Sequence, residues 1–398
     1  MTKAPLIVMN GNYQNACDYM YGDCYKLNDF ETIRQSSLMP YNMSYMFYNT
    51  QLTLDSALAQ SVFDSMDLTK VSEASYCLGR STYDSITKPE GWTSDKEVKY
   101  TLNLTFPSAQ YVNLYYFFNN SCYHSDRPKF DYDFVSNTSG ECRDLFREYG
   151  GSYDSEYYHP LRKITRVSVL NASSFYRAFR YCSFLTTIEK LEISSRITNL
   201  EYLFDQCRRL TTLPVFNTSG VTHAPYMFRN CTSLETIPEL NFAAMQTAYN
   251  MFEGCTHLRT IPQLNTPNLT SCYQMFYNCT SLESLPEFDT SRVSDLQYMF
   301  YNCSSLVEVP AFNMISCTNA PYMFSGCSNL ERVHCRNIRT NLDISSSTKF
   351  TREALLEVIN NLTTISDSTR TLTIGQTNLS KLLPEDVAIA TSKNWTLA

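Results

Sequence analysis

Glycine is scarce, with eleven in 398 residues. That leaves little room for a Gly-rich phosphate loop or a dinucleotide-binding turn, and neither motif occurs. No window approaches the length and apolarity of a membrane span. Basic charge is never gathered: 32 Lys and Arg lie scattered among 39 Asp and Glu, for a net charge of -7, which argues against nucleic acid as a partner. There is no Cys-x-x-Cys pair, and cysteines set 24 residues apart cannot place four ligands around zinc, so no metal and no cofactor are expected. The five histidines, His124, His159, His223, His257 and His334, share no recurring carboxylate or nucleophile. No catalytic residue is assigned, and the chain reads as a non-enzyme.

What the chain has is a period. Phe recurs every 24 residues at Phe204, Phe228, Phe252, Phe276, Phe300 and Phe324, followed three residues later by Cys207, Cys231, Cys255, Cys279, Cys303 and Cys327. Such a fixed period is the signature of a solenoid coil. Each unit runs Met-Phe-x-(Asn/Gly)-Cys-x-x-Leu-x-x-(Ile/Leu/Val)-Pro, clearest from Met275 to Pro286. The pattern predicts a short helix, a turn, a short strand and a return loop per coil, an α/β repeat solenoid resembling leucine-rich repeats. Asn230, Gly254, Asn278, Asn302 and Gly326 stand where the chain must turn left-handed, which Gly and Asn do cheaply. Pro225 and Pro321 fit the first turn of a helix.

Weaker copies extend the array. They appear at Phe179, at Phe146, at Phe118, near Tyr76-Cys77, at Phe47 and at Tyr21, with an insertion around Thr82–Lys99. The organisation reads as an N-terminal cap (1–15), irregular repeats (16–174), regular repeats (175–335) and a C-terminal α/β cap (336–398). Within the cap, Thr351–Leu362 predicts a helix opened by Thr351, Thr371–Ile374 a strand, and Leu379–Thr391 a second helix interrupted near Pro384. A solenoid needs such a cover, because a bare last coil would offer an unpaired edge.

Fifteen cysteines could suggest disulfides, but the ladder cysteines face inward beside Phe and Leu, where a free thiol behaves as a small apolar residue. Met1–Asn15 lacks the pattern of a signal peptide, so synthesis in the cytosol with reduced thiols is expected. Tyrosine is abundant, with 29 residues, and several have no evident repeat duty, Tyr115, Tyr277 and Tyr301 among them. The position after the ladder Phe varies most: Asp205, Arg229, Glu253, Tyr277, Tyr301 and Ser325. Those six predict one exposed stripe, with Arg229, Glu253, Tyr277 and Tyr301 as the candidate binding residues. Tyr offers large contact area at low entropic cost.

The Met-Phe-x-(Asn/Gly)-Cys-x-(Ser/Asn/His)-Leu unit resembles the BspA-like leucine-rich repeats of bacterial surface proteins, in the Met-Phe variant of mycoplasma-type lipoproteins and of proteins from gut bacteria and their phages. The resemblance is strong over 175–335 and weak before it. It implies a binding role. The expected function is a bacteriophage virion protein, a fibre, tail-associated or capsid-decorating subunit made in the host cytoplasm. Its partners would be other virion proteins and host-surface polysaccharide or protein, with homo-oligomerisation open. The alternatives are a bacterial cell-surface adhesin and an intracellular protein-binding scaffold.

Overall fold

The computed structural model describes residues 20–21, 42–48, 50, 52, 55–79, 97–106, 110–118, 129–148 and 161–398. The expected N-terminal cap, Cys24, Cys122, most of the Thr82–Lys99 insertion, His124 and His159 lie outside them. The fold is an α/β repeat solenoid of parallel short strands and few short helices, and it divides into two units: residues 1–199 with 203–217, and residues 200–202 with 218–398.

In both units the backbone follows one rule, most easily stated with the ladder Phe as position 0. In the C-terminal unit the N–H groups at −2, 0 and +2 donate to carbonyls at −3, −1 and +1 of the next coil. For the coil of Phe276 these bonds run from Gln274 to Gln297 (3.0 Å), from Phe276 to Met299 (2.9 Å) and from Asn278 to Tyr301 (2.8 Å). The N–H groups at +1 and +3 turn back to their own coil, as Tyr277 to Gln274 (3.2 Å) and Cys279 to Phe276 (3.1 Å). The segment read from sequence as a short helix is therefore an arc of tight turns that alternates between closing on itself and pairing with its neighbour.

Two left-handed residues per coil make this alternation possible. At +2, Asn230 (φ 57), Gly254 (φ 71), Asn278 (φ 59), Asn302 (φ 58) and Gly326 (φ 82) turn as expected. At −2 a second left-handed residue stands in every coil of this unit: Tyr202, Tyr226, Asn250, Gln274, Tyr298 and Tyr322. Pro225 and Pro321 sit at −3, a position whose carbonyl belongs to the ladder and whose N–H does not. This, rather than a helix start, is why proline is tolerated there.

Side chains reinforce the stack. The Phe rings lie nearly parallel, Phe252 on Phe276 at 5.3 Å and 3°, and Phe276 on Phe300 at 5.6 Å and 4°. Every ladder Phe and Cys is fully buried. Hydroxyl groups add rails of their own: Thr270 Oγ1 donates to Gln246 O (3.1 Å) and Ser294 Oγ to Thr270 O (3.3 Å).

The N-terminal unit applies the same rule to degenerate sequence. Phe47 donates to Cys77 (3.1 Å), Leu78 to Phe117 (3.1 Å), Phe118 to Leu145 (3.1 Å), Phe146 to Ala178 (2.8 Å) and Phe179 to Leu203 (3.0 Å). Tyr45, Tyr76, Tyr116, Asp144 and Arg177 hold the left-handed −2 place. Here the strands are longer than the short ones expected. Glu97–Leu104 (β1), Lys129–Ser136 (β2) and Leu161–Val169 (β3) form a parallel sheet, with β1 and β2 in register from Glu97–Lys129 to Leu104–Ser136. Phe130, Tyr132 and Phe134 point into the core by simple alternation. The helix Ser56–Asp64 (α1), capped by Asp55, covers this edge. Gln60 pairs its amide with the backbone of Asn103, accepting from N (2.7 Å) and donating to O (2.9 Å), as a neighbouring strand would.

After the last regular coil the C-terminal unit continues into the expected α/β segment. The helix Arg352–Asn360 (α2) buries Ala354, Leu355, Val358 and Ile359, and Thr351 Oγ1 accepts from Ala354 N (3.2 Å). The second helix is displaced from the expectation: Gln376–Leu379 (α3) ends at Leu379 instead of starting there, and Pro384–Ser392 (α4) follows. Strand Arg370–Thr373 lies between Leu342–Asp343 and the closing Trp395–Leu397, all parallel. Gly326 N, which has no further regular coil to pair with, donates to Ser346 Oγ (3.0 Å).

Candidate binding surface

Positions −2 and +1 share one side of the turn arc, and in the C-terminal unit they bring tyrosines together. Tyr277 stacks on Tyr301 at 4.8 Å and 6°, and Tyr298 on Tyr322 at 5.0 Å and 11°. Tyr298 meets Tyr301 edge-on at 5.5 Å, so the four rings form one cluster. Tyr322 is 54% exposed. Two coils away, Tyr202 stacks on Tyr226 at 4.7 Å and 2°, and the Arg229 guanidinium lies 4.6 Å over the Tyr226 ring.

Between the two clusters the same positions carry amides and a carboxylate. Asn250 Nδ2 donates to Glu253 Oε2 (2.9 Å) and to Gln274 Oε1 (2.6 Å). Asn250 is 3% exposed, and its Oδ1 receives no hydrogen bond among the described residues. The ridge therefore reads aromatic, polar, aromatic, with a buried, unsatisfied acceptor beneath its waist.

Its electrostatics follow from partial burial. Desolvation, then the neighbouring Tyr301 and Glu253, raises the Tyr277 phenol above its ordinary value. Desolvation, then Tyr202 and Tyr249, does the same for Tyr226 against the pull of Arg229. These hydroxyls stay protonated at neutral pH and offer hydrogen-bond donors beside flat apolar rings.

The six residues expected to form one stripe do not share one environment. Arg229, Glu253, Tyr277, Tyr301 and Ser325 are half-buried members of this surface. Asp205 is fully buried and bonds Arg180 Nε at 2.9 Å, so it forms an internal ion pair and no part of the stripe. The −2 position, with Tyr298 and Tyr322, was not among the expected binding residues. Its signal was the recurrence of Tyr two residues before Phe. His334 has carboxylate partners that belong to no recurring pattern. Its ring lies between Glu308 (2.5 Å) and Glu357 (2.5 Å).

In the N-terminal unit the same place holds Tyr45 on Tyr76 (4.6 Å) and Tyr76 on Tyr116 (4.7 Å). Among the described residues, no group of three His, Cys, Asp or Glu could hold a metal ion, and no helix is long and apolar enough to cross a membrane.

Residues 173–284 and 235–338 match the family model described as "Mycoplasma protein of unknown function, DUF285". The matched stretch holds the regular Met-Phe-x-x-Cys repeats and is less than half of the chain. Among solved structures, the chain is similar to a leucine-rich repeat protein from Eubacterium ventriosum, with 14% identity, a TM-score of 0.31, and 69% of this chain and 85% of that one covered. A leucine-rich repeat protein from Bacteroides ovatus matches at 14% identity and a TM-score of 0.28 over 83% and 84% of the two chains. The mouse RP105/MD-1 complex matches at 12% identity and 0.24, over 91% of this chain and 59% of that one. No curated protein matches.

Proposed function

We propose that this protein is a non-enzymatic bacteriophage virion component, a fibre, tail-associated or capsid-decorating subunit, that contacts host-surface polysaccharide or protein, or another virion protein, through the tyrosine ridge. The observation that carries the binding role is the pair of stacked tyrosine clusters on either side of the Asn250, Glu253 and Gln274 side chains. Stacked rings present area that is already ordered, so a ligand loses little side-chain entropy on contact. The virion assignment draws on the thiols. Ladder cysteines donate to main-chain carbonyls, as Cys303 Sγ does to Phe276 O at 3.1 Å, and a disulfide would remove those bonds. Assembly in a reducing cytoplasm suits such a chain.

A second reading, a bacterial cell-surface adhesin, is compatible with the match to a Mycoplasma family. Fractionating the source culture on a density gradient separates the two. Co-sedimentation with DNA-containing particles supports the virion protein, and recovery with cell envelopes supports the adhesin and overturns the first reading. For the ridge, Tyr301→Ala and Arg229→Ala should each weaken binding to host cells or particles about tenfold. Unchanged binding in both would remove the ridge from the function.

A further inference from the structure

The return loops of the C-terminal unit, eleven to fifteen residues after the ladder Phe, enclose an open groove of about 630 Å³. That volume falls within the roughly 300–1,000 Å³ of ligand sites. Leu264 and Phe288 supply buried apolar surface, and Gln263, Glu287, Asp289 and Arg336 supply polar groups. Where the two preceding coils carry Gln263 and Glu287, the next has Ala311, whose short side chain leaves space.

Thr266 points to a missing partner. At the equivalent place in other coils, Thr218 Oγ1 donates to Asn241 O (2.7 Å) and Thr290 Oγ1 to Asn313 O (3.1 Å). Thr266 is 1% exposed and lines the groove, yet its Oγ1 has no hydrogen-bond partner among the described residues. A buried hydroxyl without a partner is unfavourable, and a ligand in the groove would relieve it where the return loops part enough to expose the oxygen.

The polar groups are held in place. Arg336 Nη2 bonds Glu287 Oε1 (3.1 Å), and Gln263 Nε2 donates to the Glu287 carbonyl. The chemistry of the set selects the ligand. An anion would meet two carboxylates and a guanidinium already paired. A lipid would strand the polar rim. Ring hydroxyls of a sugar both donate and accept, which suits amides, carboxylates and a guanidinium side by side, and the C–H faces of a pyranose suit Leu264 and Phe288.

We propose that this groove binds a neutral oligosaccharide. It occupies other positions of the repeat than the tyrosine ridge and stands independently of the ridge reading. The test is isothermal titration of the full chain with maltotriose, cellotriose, mannotriose and chitotriose. At least one should bind, and Ala311→Trp, which fills the space, and Thr266→Val should each weaken it about tenfold or more at unchanged melting temperature. Glu287→Gln, at a side chain 60% exposed, gives a variant that tests the rim without touching the core. Absence of heat with all four sugars overturns the proposal. So does binding that survives all three substitutions. Binding lost in Tyr301→Ala but kept in the groove variants also overturns it, while leaving the ridge reading intact.

Discussion

The thiol of Cys279 donates to the main-chain carbonyl of Phe252, one coil earlier, at 3.0 Å. That carbonyl also receives the N–H of Cys255 from its own coil, at 3.0 Å. The same contact links Cys255 with Phe228, Cys303 with Phe276 and Cys327 with Phe300. Each ladder cysteine thus fills a small apolar space and satisfies a second lone pair of a buried carbonyl. Alanine lacks the donor.

Thiol chemistry should reflect this burial. Desolvation raises Cys279 and Cys303 well above the ordinary thiol value and pushes Cys327 up to about 12. Because the thiolate is the reactive form, the native protein should react with Ellman's reagent slowly and incompletely at pH 8. After denaturation in guanidinium the count should rise to near 15, the number in the chain. A count several pairs lower would contradict the reduced state. Cys279→Ala should cost about 1–2 kcal/mol, from a weak hydrogen bond and a small cavity, read from urea unfolding.

Adjacent residues should differ sharply in cost. Phe276 is fully buried between Phe252 and Phe300, and Phe276→Ala should cost roughly 3–5 kcal/mol as a core cavity. Tyr277 is half-buried on the ridge, and Tyr277→Ala should cost under about 1 kcal/mol, mainly its stacking on Tyr301. Denaturant midpoints of the two variants check the inward and outward assignments together.

Gly254 combines φ +71 with a crowded site, since an added Cβ would lie 2.2 Å from Asn230 Oδ1. Gly254→Ala should destabilise by about 1–2 kcal/mol. Gly254→Asn should do better. Asn tolerates the left-handed region, and the neighbouring pair Asn278 and Asn302 already coexists with an amide hydrogen bond of 2.9 Å. Melting temperatures of the two variants give the comparison.

His334 carries a pH dependence whose sign is fixed. Burial disfavours its charge, but the hydrogen bonds to Glu357 on α2 and to Glu308 outweigh it, so the folded pKa is raised above 6.5. A raised folded value means that the contribution is fully present below the unfolded pKa and is lost as pH rises through the folded one. Stability should therefore decline with rising pH above about 6.5, and His334→Gln should flatten that part of the profile. An NMR titration of the His334 ring reads the pKa directly, and a value below 6.5 would reverse the sign.

Much of this was legible in the sequence, and the residues show why. Phe and Cys at a fixed period can only face a shared interior, and Thr351 before an apolar stripe can only open a helix. The strand Lys129–Ser136 was not expected, because the irregular spacing of the repeats around it masked its alternation. The left-handed backbone at −2 was not legible, because Tyr, Gln and Arg, which hold most of those places, give no local sign of it. That conformation is imposed by the neighbouring coil, which needs the −2 N–H turned toward it. Asp205 was misread for a related reason, since its partner Arg180 is 25 residues away and no pattern joins them.

The bonds joining coils are mostly main chain to main chain, or from one recurring thiol, so each junction is chemically the same as the next. Coils are then interchangeable parts. Recombination between repeats can add or remove one whole unit without creating a new kind of joint, whereas a shift of a single residue within the arc turns the donors toward residues whose carbonyls are already used within their own coil. Such a gene can change its binding surfaces quickly while its fold stays fixed. Excising residues 253–276, one period from +1 to the next Phe, should leave a folded protein one coil shorter, and excising half of that span should not.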